Sequence, residues 1–112
     1  MQRSLRVFYR DYVNAVTIAS SQPESLSADR VSALADRLLV SEDNFIGVVD
    51  RNDVILQGYV DDDGDCIVLE MVYPEATGCL RLALPRADAL DLLGDLPDVF
   101  DASLLAGAQY ID

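Results

Sequence analysis

Apolar and polar positions along the middle of this chain fall into four short runs, at residues 45–49, 54–60, 66–73 and 79–84. Each is short and apolar and bounded by turn chemistry, and the first three are rich in β-branched and aromatic residues, the signature of strands. The breaks are Asp50-Arg51-Asn52-Asp53, Asp61-Asp62-Asp63-Gly64-Asp65 and Pro74-Glu75-Ala76-Thr77-Gly78. Breaks this short make antiparallel hairpins and cannot hold parallel crossovers. The pattern therefore predicts a four-stranded antiparallel meander. In its last strand Leu80, Leu82 and Leu84 face one way and Cys79, Arg81 and Ala83 the other, so one sheet face packs on a core and the other stands nearer water. Gln57, Glu70 and Arg81 are the polar positions that mark this wetter face.

Two helices flank the meander. Ser27 reads as an N-cap, Asp29 sits in the first turn, and Val31, Leu34, Ala35, Leu38 and Leu39 form the apolar stripe of a helix running to about Leu39. Pro85 suits the first turn of a second helix through about Leu96, with Ala87, Leu90, Leu93 and Leu92 as its buried side and Pro97 as its stop. Upstream, residues 5–18 are ambiguous. Leu5, Phe8, Tyr9, Tyr12, Val13 and Val16 recur at helical spacing, while the β-branched and aromatic content favours a strand over part of the segment, which would make a fifth. Residues 20–25 read as loop, and the tail carries Phe100, Leu104, Leu105, Tyr110 and Ile111, enough to pack down. The expectation is a single α+β domain over residues 1–112.

Composition narrows the chemistry. The chain has twenty acidic residues, sixteen of them aspartate, against eight arginines, with neither lysine nor histidine and a formal net charge of −12. There is no imidazole to act as a general base and no lysine for a Schiff base or a phosphate. No glycine-rich phosphate loop is present, and nothing singles out two of the carboxylates as an acid–base pair, so the chain reads as a non-enzyme that needs no cofactor. Arg3, Arg6 and Arg10 lie beside Phe8, Tyr9 and Tyr12, a mixture that can stack on bases, yet all twenty acids follow and would repel a phosphate backbone. Nucleic acid is excluded on that ground. No run is long enough to span a membrane, and the N-terminal stretch lacks the apolar centre of a signal peptide, so a cytoplasmic protein is expected. Cys66 and Cys79 read as reduced residues; in the predicted hairpin Cys79 lies opposite Val72, too far from Cys66 to bridge.

Asp61, Asp63 and Asp65 alternate like the ligands of a calcium loop, but the glycine falls at the fourth position and Val72 stands where the closing glutamate belongs. A solvated turn with Gly64 at positive φ is the better reading, and no metal is expected. Asp88, Asp91 and Asp95 share one exposed stripe of the second helix, which Asp98 extends. Asp95 near the C-terminus and Arg86 near the N-terminus are set against the helix dipole, as selection by a partner would leave them. Genome composition produces the same aspartate–arginine bias. These features favour a protein that binds a basic surface of a partner, through Asp88, Asp91, Asp95 and Asp98, with Asp61, Asp62 and Asp63 as a second candidate cluster. Tyr59 or Tyr73 on the sheet would supply the aromatic anchor.

The order of elements, with the Ser27-capped helix, the meander from Phe45 to Leu84 and the acidic helix behind it, resembles the small acidic immunity proteins of bacterial toxin systems. The resemblance rests on architecture and charge, with no diagnostic motif. It implies an inhibitor that blocks a toxin or enzyme. The alternative reading is an assembly subunit, a homodimer formed through the apolar sheet face.

Overall fold

Strand structure begins at the N-terminal end of the chain and is more extensive than the four-run pattern implies. The computed structural model describes residues 4–41, 43–61, 64–75 and 77–111. In order these form β1 (Ser4–Asp11), β2 (Val16–Ile18), β3 (Glu24–Ser27), α1 (Ala28–Leu38), β4 (Phe45–Val49), β5 (Ile55–Val60), β6 (Cys66–Val72), β7 (Cys79–Pro85), α2 (Arg86–Leu93), a 3-10 turn (Ala102–Leu105) and β8 (Gln109–Ile111). The class is α+β, as expected. The sheet has eight antiparallel strands rather than four or five, in the order β2-β1-β4-β5-β6-β7-β8, with β3 also paired to β1.

The ambiguous segment resolves as a hairpin. Its helical spacing arises because β1 buries Leu5 and Val7 on one face and Phe8 on the other, so the strict alternation that identifies a strand is lost. Part of the expected loop at 20–25 is strand, since Glu24 and Ser25 pair with Val7 and Arg6. The pattern missed β3 and β8 because each has four residues or fewer and takes its order from the strand beside it. The meander itself is as read. Val72 faces Cys79, and Gln57, Glu70 and Arg81 lie in one cross-strand row. Both cysteines are free.

α1 buries Val31, Leu34, Ala35 and Leu38 against the sheet, with Leu39 buried just beyond its end. Ser27 occupies the N-cap position without donating or accepting a side-chain cap bond. α2 is shorter than expected: it ends at Leu93, and Leu96 is buried in the turn after it. Its buried side is Ala89 and Leu93, while Ala87, expected inside, is exposed. Both helices lie on one face of the sheet, over a core built from Val7, Ile46, Val48, Leu56, Ile67, Leu69 and Met71.

Arg86 has a use that the dipole argument overlooks. From the start of α2 it donates to the Leu39 carbonyl at 2.5 Å, the Asp36 carbonyl at 2.6 Å and Asp36 Oδ1 at 2.9 Å. It thus satisfies carbonyls that the end of α1 leaves without helical partners, and its charge sits where that helix favours a cation. Arg86→Ala should cost about 1–3 kcal/mol in chemical denaturation, and Arg86→Lys, which lacks the planar fork, should restore only part of it.

Candidate functional site

The face of the sheet opposite the helices is covered by no element among the described residues. Cross-strand register places Phe8 opposite Gly47, Phe45 opposite Tyr59, Val49 opposite Ile55, Tyr59 opposite Val68 and Ile55 opposite Val72. These residues form an apolar surface across the central strands. The Phe8 and Phe45 rings meet edge to face, 6.5 Å between centroids. Phe8 is 7% exposed and Val68 8%, sheltered by neighbours on the face itself, and the other apolar side chains are half-buried.

Three polar side chains at the centre of this face, Tyr59, Glu70 and Arg81, are paired with one another. Glu70 accepts Arg81 Nε at 2.7 Å and the Tyr59 hydroxyl at 3.0 Å. Burial, then the bond to Glu70, pushes the Tyr59 phenol above its ordinary pKa, so it stays a donor; the same carboxylate raises Arg81. At the β1 side Arg6 donates to Asp53 at 2.8 Å and to the Asp50 carbonyl, and Arg10 stacks over the Tyr12 ring at 4.4 Å. The strand ends carry exposed acids, Asp43 and Asp65 at one end and Asp53 and Glu75 at the other. The face thus combines a half-buried apolar centre, the mutually bonded Tyr59, Glu70 and Arg81, and a rim of exposed acids.

The sequence-derived candidates divide between the two faces. Tyr59 lies on the uncovered face. Tyr73 follows β6 on the helix side and packs against the core. Asp88, Asp91 and Asp95 are exposed on the helix layer, without an ion-pair partner among the described residues, and Asp95 and Asp98 lie beyond the end of α2. The helical acids and the Tyr59 anchor therefore cannot meet one flat partner together. Asp61 caps its own turn, accepting the Gly64 N–H at 2.9 Å and the Cys66 N–H at 3.4 Å, while Gly64 takes φ +79°. Asp62 and Asp63 lie outside the described residues. Among the described residues no cluster of three metal-ligating side chains occurs, and no helix is long and apolar enough to cross a membrane.

Two aspartates that nothing in the sequence pattern marks as interior are buried. Asp50 is 1% exposed and Asp11 6%. The side-chain amide of Asn14, donating at 2.8 Å, holds the Asp11 carboxyl below its ordinary pKa; burial opposes this, and backbone N–H groups and Asn44 assist. Asn44, also buried, accepts the Tyr12 N–H at 2.8 Å and donates to the Leu38 carbonyl at 2.9 Å and to Asp11 at 3.2 Å, tying the β1–β2 turn to the end of α1. These groups hold the scaffold behind the open face. Their only sequence signal is position: Asn44 and Asp50 flank the five-residue strand β4. No family model, curated protein or solved structure matches the chain.

Proposed function

We propose that this chain is a noncatalytic protein-binding module of inhibitor or immunity type, which docks the uncovered sheet face onto a basic surface of a partner protein and blocks it. The supporting observation is that face: an apolar centre around Tyr59, acids at both strand ends, and no covering element among the described residues. Charge favours a basic partner over a second copy, because self-association brings −12 against −12. Asp88, Asp91 and Asp95, in no ion pair among the described residues, act at longer range, steering encounter from the helix side.

The test compares two variants in binding to the captured partner. Tyr59→Asp should weaken the complex at least about thirty-fold, the loss expected of a central anchor. The triple change Asp88→Asn, Asp91→Asn and Asp95→Asn should slow association and flatten its salt dependence, with dissociation little changed. Loss of the complex in the triple variant, with Tyr59→Asp binding normally, would move the contact to α2 and overturn the proposed surface.

A second reading, the homodimer, draws on the same face, whose centre carries Arg81 and Glu70 in a neutral pair. Salt separates the two by sign. A complex with a basic partner loosens as salt rises, whereas a dimer of two acidic chains tightens.

A further inference from the structure

On the helix side, at the edge of the sheet, α1 and the strands β1 and β3 enclose an open groove of about 250 Å3. Arg30 and Arg37 reach it from the helix. They are seven residues apart, about 10 Å along the axis and on one side of it, a gap two arginine side chains can close. Leu34, Leu26 and the Tyr9 ring supply an apolar floor. Glu24 stands on the sheet wall, where it accepts the Tyr9 hydroxyl at 3.3 Å.

Among the described residues Arg10, Arg30, Arg37 and Arg51 are in no ion pair, and Arg30 and Arg37 are the two of these that share one groove. Arg6, Arg81 and Arg86 are held by Asp53, Glu70 and Asp36. A second groove of the same volume is lined by Arg6 and Arg51, but Arg6 is already committed to Asp53 and the Asp50 carbonyl, and Asp50 and Asp98 share the lining. Arg30 and Arg37 have no ion-pair partner among the described residues, although acids outnumber arginines twenty to eight.

We propose that this groove is a binding site for a small aromatic monocarboxylate, its carboxylate between Arg30 and Arg37 and its ring over Leu26 and Leu34. The arginine fork matches a carboxylate in geometry. Two guanidinium groups against Glu24 leave room for one negative charge, and Glu24 repels a dianion such as phosphate. The volume lies below the roughly 300–1,000 Å3 of drug-sized sites and suits a ligand of one ring.

Benzoate is the probe, titrated into the full chain while backbone amide NMR shifts are followed, with neutral benzamide as control. Benzoate should shift Tyr9, Leu26 and Leu34 with a Kd on the order of 1 mM, and benzamide should bind at least about ten-fold more weakly. Arg30→Gln and Arg37→Gln should each weaken benzoate about five- to ten-fold, whereas Arg51→Gln should leave it unchanged. Equal binding of benzamide, unchanged binding in the Arg30→Gln, Arg37→Gln double variant, or no shift at these residues by ~10 mM benzoate overturns the proposal.

Discussion

Asp50→Ala is expected to lower the stability of the fold by about 3–5 kcal/mol, the largest effect of any single substitution considered, read as a shift in the denaturation midpoint at constant slope. One carboxylate organises three segments. Its Oδ1 accepts the Asn52 N–H at 2.7 Å and the Val54 N–H at 2.9 Å, and its Oδ2 accepts the Phe100 N–H at 2.7 Å. The first two shape the β4–β5 turn, where Asp53 adopts φ +66°. The third fastens the returning tail as Phe100, 2% exposed, enters the core. Truncation to alanine leaves buried donors without acceptors, and each such group costs about 1–3 kcal/mol. Asp50→Asn keeps one acceptor oxygen but turns an amide N–H toward a backbone N–H, so its loss should fall between alanine and wild type. A neutral result for Asp50→Ala would mean that water satisfies these donors and that the site is not the anchor its geometry describes.

Asp50 also marks the boundary of what the sequence could convey. The meander was legible because 45–49, 54–60, 66–73 and 79–84 each carry their own hydrophobic signal and turn residues between them, and those signals are local. α1 was legible for the same reason, through Val31, Leu34, Ala35 and Leu38. β3 and β8 carry no such signal: Glu24–Ser27 and Gln109–Ile111 are ordered by pairing with β1 and β7, a contact of high sequence separation. The roles of Asp50, Asp11 and Asn44 were hidden because a turn aspartate in water and one receiving buried N–H groups look alike in sequence. Arg86 misled for a related reason. Its own helix disfavours it, and the helix end that it serves lies 47 residues away. As for the candidate site, the row Gln57, Glu70 and Arg81 pointed to the face that the helices leave uncovered, and Tyr59 was singled out on it. The separation of Tyr59 from Asp88, Asp91 and Asp95 depends on which side the helices pack, and strand alternation does not carry that choice.

The open face has a central weak point at Gly47, and it yields the second large effect. Glycine inside a strand ordinarily costs about 0.5–1 kcal/mol relative to alanine, so Gly47→Ala in isolation would stabilise β4. Here the opposite sign is expected. A Cβ on Gly47 would lie 2.1 Å from Phe8 Cζ and 2.5 Å from both neighbouring ring carbons, because the ring lies across the bare backbone of its cross-strand partner. The ring must swing off the sheet, giving up its edge contact with Phe45 and exposing apolar area, for a net loss of about 1–3 kcal/mol. A double-mutant cycle separates this from any intrinsic strand effect. In a Phe8→Ala background the obstruction is gone, and Gly47→Ala should become neutral or stabilising, a change of sign that strand propensity alone cannot produce. The same cycle bears on function. If the open face is the contact surface, Gly47→Ala displaces the ring beside Phe45 and should weaken partner binding in protein that remains folded, while Arg86→Ala, which loosens the helix layer behind the sheet, should lower stability and leave affinity intact. Equal loss of affinity in both variants would show that binding tracks stability, and the open face would then have no special claim to the partner.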